Sequence, residues 1–167
     1  MKRNGCQNVE DNYTKLISAI RAFCLMIDYL ESYQPLVWLK EMYHLLPQIE
    51  AGMNRLDLKV EHCFFVLPDL EWRFSMFCRL KAFLGEWDEY ALAGDDDDDP
   101  NDFTGSLADD FTDLYFELRR GLDLYDGGDG DLLSALTLWR TGYVLHWDRH
   151  LREARQRLDD LKRREAL

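Results

Sequence analysis

His146 and His150 stand one helical turn apart in the run His146-Trp147-Asp148-Arg149-His150. At that spacing both imidazoles leave one side of a helix and can converge on one ion. Asp109 and Asp113 repeat the spacing upstream, just before Leu114 and Tyr115, with Asp110 beside them. Two carboxylates and two imidazoles from facing helices suit zinc, iron or manganese. Inward-pointing carboxylates and histidines are one way to build a metal site in a bundle core. A plainer arrangement uses the same residues. Aspartates in a helix's first turn are stabilised by the macrodipole alone. A histidine on an apolar face ordinarily finds a hydrogen-bond partner, here Asp113 or Tyr115. A structural histidine–aspartate network with no cofactor is therefore the first expectation, and a divalent ion is the alternative.

Helices must hold these groups. A fifth helix is expected from about Asp131 towards the C-terminus. With Tyr143 as zero and 100° per residue, Leu132, Leu136, Trp139, Trp147, His150, Ala154 and Leu161 fall within roughly 40° of one direction. His146 lies about 60° to the side. Leu138 and Leu145 point the other way and leave a homodimer open. A fourth helix is expected to begin at Ser106, whose hydroxyl can cap the amide of Asp109, and to stop at Asp126-Gly127-Gly128. The short glycine-rich connection predicts that helices four and five pack antiparallel.

Upstream, Tyr13, Leu16, Ile20, Phe23, Ile27 and Leu30 mark a first helix over about residues 9–31, capped by Asn8. A second begins at Pro35, presents Leu36, Leu39, Tyr43 and Leu46, and is expected to end at Pro47. Residues 48–68 are ambiguous, with a short helix suggested by Met53, Leu56 and Leu58 and an extended stretch by Cys63 to Leu67. A third helix is expected from Asp69 to about Leu92, with Leu70, Phe74, Phe77, Leu80, Leu84, Trp87 and Ala91 as its stripe. The run Asp95 to Asp99 followed by Pro100 repels itself and blocks a helix, so residues 94–105 read as an acidic loop. The fold class is all-α, with about five helices in one domain over residues 1–167.

The 167 residues are 47% hydrophobic and carry a net charge of −12. That apolar content excludes disorder and supports a full core. The charge is concentrated: residues 86–131 hold 17 acids against Arg119 and Arg120. Such a surface repels nucleic acid and anionic membranes; its natural partner is a basic protein or peptide. No apolar run approaches the roughly 20 residues of a membrane span. Cys6, Cys24, Cys63 and Cys78 show no paired spacing, and the N-terminus has no apolar leader. A reducing cytoplasmic location is expected.

Other constellations are weaker. Glu86-x-x-Glu89 followed by Asp110-x-x-Asp113 resembles the magnesium-binding arrangement of all-helical nucleotide pyrophosphohydrolases, but the second pair lacks its usual glutamate. The aspartate pentad lacks the glycine and terminal glutamate of an EF-hand loop. Phosphate-cradling glycine loops and nucleophile motifs are absent.

Longer motifs carry a family resemblance. Ser106 to Leu118, reading Ser-Leu-Ala-Asp-Asp-Phe-Thr-Asp-Leu-Tyr-Phe-Glu-Leu, resembles the Leu-Ala-Asp-Asp-Leu-x-Asp-Ile-Tyr-x-Asp-Leu run of a small bacterial all-helical family of unknown function. His146 to His150, followed by Ala154-Arg155, resembles that family's His-Trp-Gly-x-His and Ala-Leu-Arg, with Asp148 in place of the glycine. Trp139 and the segment Met42-Tyr43 to Leu46-Pro47 also match. The resemblance implies a helical bundle and a joint role for the aspartate and histidine motifs, but no activity. The expected function is a non-enzymatic acidic interaction or regulatory protein, of which an immunity-like inhibitor of a basic toxin is one form. The alternative is a metal-binding protein or metal-dependent enzyme using Asp109, Asp113, His146 and His150.

Overall fold

Apolar side chains three and four residues apart build α1 (Asn4–Asp28), whose Leu16, Ile20, Phe23 and Ile27 are buried. The computed structural model describes residues 4–60, 69–91, 104–127 and 131–167, with side chains from residue 13 onward. Asn8 lies inside α1 rather than capping it. The helix also stops earlier than its apolar repeat: Leu30 is buried from a single 3-10 turn, Leu30–Ser32.

The second helix, α2 (Pro35–Asn54), starts at the expected proline but runs through Pro47. Proline removes one backbone hydrogen bond there. Burial outweighs that loss, because Ile49 and Met53, in the turns beyond it, are fully buried. The apolar stretch Cys63 to Leu67 and the aspartate run lie outside the described residues.

The third helix, α3 (Leu70–Leu84), is capped by Asp69, whose carboxylate accepts from the amides of Glu71 and Trp72. It ends eight residues before the expected Leu92. The stop is Gly85, whose φ of +54° lies in the left-handed region that favours glycine. Leu70 and Phe74, expected in the stripe, are exposed; Met76, Leu80 and Leu84 face the core. A short hairpin follows in place of further helix. β1 (Glu89–Ala91) pairs antiparallel with β2 (Thr104–Ser106), Tyr90 opposite Gly105. A Cβ at Gly105 would sit 2.3 Å from the Tyr90 ring, so glycine lets that ring lie across the strand. The acidic loop is thereby shortened at its C-terminal end.

α4 (Leu107–Asp126) begins with the expected Ser106 cap, Oγ accepting from the Asp109 amide at 3.3 Å. The expected fifth helix is one run in two pieces, α5 (Leu132–Gly142) and α6 (Asp148–Arg163), joined by a π-helical turn at Tyr143–Trp147. The buried positions of α5 and α6 differ in phase by roughly 60° on an ideal helix, and the wider π turn absorbs that drift. Leu145 is 60% exposed and Leu138 half-buried, so the second apolar face is not filled by the described residues.

The architecture is all-α, with one two-stranded hairpin among the described residues. α4 is its central element, packed on α1, α3, α5 and α6. The α4 contacts run in opposite order along the partner: Trp139 Nε1 donates to the Leu118 carbonyl at 3.0 Å, while His150 reaches Asp110. α4 and the α5–α6 run are therefore antiparallel. Trp38 sits edge-on to Phe111, centroids 4.9 Å apart, and donates to the Met26 carbonyl at 3.0 Å. No helix among the described residues is long and apolar enough to cross a membrane.

Three measurements check this packing. A Cβ at Gly121 would stand 2.0 Å from Trp139 Nε1. Gly121→Ala should therefore destabilise by about 1–3 kcal/mol in urea unfolding, despite alanine's better helix propensity. Cys24 is buried and its thiol is pushed up to about 12 by desolvation, whereas Cys78 is exposed. Iodoacetamide at pH 8 should label Cys78 and spare Cys24, as read by peptide mass spectrometry. Arg79 joins α3 to Glu31 with bonds of 2.6 and 2.7 Å. That guanidinium holds the Glu31 carboxyl at about 2, against an ordinary 4.5. The depressed value means the pair contributes above pH 4.5 and is lost as pH falls towards 2. Arg79→Ala should return Glu31 to the ordinary range in a carboxyl NMR titration.

Candidate functional site

Three carboxylates of α4, Asp110, Asp113 and Glu117, face three polar residues of the C-terminal run, His146, His150 and Glu153. His150 is the centre. Its Nδ1 lies 2.8 Å from Asp110 Oδ1, and its Nε2 lies 2.9 Å from Asp113 Oδ2. All three side chains are buried. A carboxylate is placed at each ring nitrogen, and the doubly protonated ring can donate to both.

Two further elements complete the surroundings. Tyr90 of β1 donates to Asp110 Oδ2 at 2.5 Å. Burial is the main cause that raises both the Tyr90 hydroxyl and the Asp110 carboxyl; the hydrogen bonds from His150 and Tyr90 hold the carboxyl back. Arg73 of α3 pairs with Asp113 Oδ1, and its guanidinium lies 5.6 Å from the Phe116 ring centroid.

His146 stands in the π turn, its ring centroid 5.8 Å from that of His150. Its Nδ1 is 3.4 Å from Glu117 Oε1 but makes no hydrogen bond of good geometry. One ligand atom each from Asp113, His146 and His150 lies within 4.8 Å of the others; the same holds for Asp110, His150 and Glu153.

The structure thus brings together Asp113, His146 and His150, and not Asp109. Asp109 is exposed on the far side of α4, at the solvent edge of the Ser106 cap. Asp110 takes its place. The 100° step used for the fifth helix finds this: with Leu114 as zero, Asp110 falls about 40° from the apolar direction and Asp109 about 140° away. Tyr115, the other expected partner, instead donates to Asp28 at 2.6 Å. Glu117 was legible as the seventh residue after Asp110 on the same face. Arg73 and Tyr90 carried no signal, because each reaches α4 from a separate part of the chain.

The pyrophosphohydrolase-like pairs do not meet. Glu86 and Glu89 are exposed, and Glu89 pairs with Lys81 at 3.4 Å. The acid between them that matters is Asp88, whose buried Oδ1 accepts from Ser106 Oγ at 2.8 Å and from the Ala108 amide at 2.7 Å. It anchors the start of α4.

Residues 7–164 match a protein family described as Domain of unknown function (DUF5063). The chain belongs to this family. A DUF5063 chain has the fold of a known crystal structure, that of protein BF1032 from Bacteroides fragilis. The two share 18% identity at a TM-score of 0.71, over 90% of this chain and 92% of that one. At that identity the likeness shows the fold alone. The comparison with curated proteins finds no match. Asp148, where the resembling motif carries glycine, has ordinary helical angles and pairs with Arg152 at 2.9 Å, so the site does not require glycine there.

Asp110→Asn should leave α4 and α6 in contact but weaken the hold on the His150 ring. The expected cost is about 1–3 kcal/mol of unfolding free energy, checked by urea titration. Asp109→Asn, at an exposed position, should stay within about 0.5 kcal/mol of the wild type.

Proposed function

We propose that the face between α4 and the C-terminal helical run is a metal centre, with Asp113, His146 and His150 as its protein ligands. The observation that carries this reading is the placement of carboxylates behind the imidazoles. Asp110 stands 2.8 Å from His150 Nδ1, and Glu117 stands 3.4 Å from His146 Nδ1. Metal-binding histidines commonly direct their second nitrogen to a carboxylate, as His150 does to Asp110, because this fixes the ring and makes it a better donor. Glu117 lies beside His146 without a hydrogen bond of good geometry. With Nδ1 of His150 so engaged, its Nε2 faces Asp113. Metal–ligand bonds of about 2.0–2.1 Å place neighbouring tetrahedral donors about 3.3 Å apart. His150 Nε2 and Asp113 Oδ2 are already 2.9 Å apart.

Two histidines and one carboxylate leave coordination positions for water or an external ligand. That donor set is shared by catalytic zinc and non-haem iron sites. The protein is on this reading a metal-binding protein with an open site, equipped for metal-assisted chemistry.

Zinc added to protein made without a histidine tag should bind at one ion per chain, measured by elemental analysis after dialysis. His146→Ala and His150→Ala should each abolish that uptake while circular dichroism confirms a folded chain. Asp110→Asn should weaken affinity by about 10–100-fold, and Asp109→Asn should not change it. Uptake unchanged in both histidine variants would contradict the proposal.

A second reading, recognition of a basic protein or peptide, is favoured by the net charge of −12. The described acids contribute less to it than their number suggests. Asp88, Asp110 and Asp113 are buried, Asp123 pairs with Arg119, and Asp126 pairs with Arg21. The exposed Glu86, Asp109 and Asp131 remain for such a partner, together with the run Asp95 to Asp99.

A further inference from the structure

We infer that this centre takes an oxyanion, a carboxylate or phosphate group on a small molecule, and that Arg73 grips it beside the metal. The inference rests on the metal reading above and adds the class of ligand.

The two oxygens of Asp113 have different partners. Oδ2 faces His150, and Oδ1 pairs with the Arg73 guanidinium. A divalent ion on Asp113 would therefore share that carboxylate with Arg73. Asp110 and Glu117 offset the total charge from behind the imidazoles but do not bridge the ion and the guanidinium. Asp110 is engaged by His150 and Tyr90, and Glu117 stands behind His146. Glu153 groups with Asp110 and His150. Two cations held a few ångströms apart in a partly buried site repel strongly. An anion that touches both removes the repulsion.

Arg73 is suited to that task. Its guanidinium is planar and offers five donors in a fork that matches the two oxygens of a carboxylate or phosphate. The Phe116 ring supports it at 5.6 Å, and Trp72 packs edge-on against Phe116 at 5.1 Å. Its side chain is 23% exposed and that of His146 35%, against 6% for His150 and 10% for Asp113. Arg73 and His146 are thus the more solvent-facing members of the site. Arg73 acts here by touching the ligand, and Asp113 positions it until the ligand arrives.

The test uses the full chain loaded with zinc, freed of excess metal and titrated calorimetrically with inorganic phosphate and, separately, with acetate. At least one of these anions should bind, and removal of the zinc should abolish that binding. Arg73→Gln should weaken it tenfold or more with the zinc content unchanged. Arg73→Lys, which keeps the charge and loses the fork, should fall between the two. Preference for phosphate or for acetate identifies the source of the oxyanion. No binding of either anion, or equal affinity in the wild type and Arg73→Gln, would overturn the inference while the metal centre stands. Failure of the wild-type chain to take up zinc would overturn the centre itself and this inference with it.

Discussion

Burying two carboxylates against one imidazole constrains the rest of this structure. Desolvating a charge costs several kcal/mol unless partners replace the lost water. Asp110 and Asp113 meet that requirement through groups drawn from three other elements: Arg73 from α3, Tyr90 from β1 and His150 from α6. Removing any one element would leave a buried charge short of a partner. The hairpin exists in this setting for a reason. It carries Tyr90 across Gly105 to Asp110 and delivers Asp88 to the start of α4.

The apolar core holds the polar cluster in register. α4 packs on four other helices, with Trp139 lying over Gly121 and Trp38 edge-on to Phe111. These contacts fix the height and rotation of α4, hence where its three facing carboxylates point. The π turn does the same for the opposite helix. It sets His146 a little aside from His150, so that the two rings stand at 67° to one another and not stacked in line. Widened turns of this kind recur at functional sites, and here the turn contains one of the two histidines on which the metal reading depends.

Much of the fold was legible because helices announce themselves by period. The α1 stripe, the Pro35 start, the Ser106 cap and the Asp126-Gly127 stop are local features, and each stands where local chemistry puts it. The departures share a cause, which is tertiary contact. Pro47 fails to end α2 because Ile49 and Met53 are buried beyond it. α3 ends at Gly85 because a left-handed residue, invisible to an apolar count, turns the chain into β1. The site divides in the same way. His146, His150 and Asp113 follow from spacing. Asp110 in place of Asp109 follows from helix phase. Arg73 and Tyr90 follow only from three-dimensional packing, since nothing in a single sequence reports that α3 and β1 converge on α4. Membership of DUF5063 fixes the family and leaves the chemistry to the geometry.

On the proposed metal reading, His146, His150 and Asp113 hold one ion with positions left for other ligands. X-ray absorption of the zinc-loaded chain addresses it most directly, because the fine structure reports imidazole scattering and bond lengths at the metal itself. Two imidazoles are expected around the ion, with nitrogen and oxygen donors at about 2.0–2.1 Å, and the imidazole signal should be lost when both histidines are replaced. A shell of oxygens alone, or two imidazoles that persist in the double histidine variant, would contradict it.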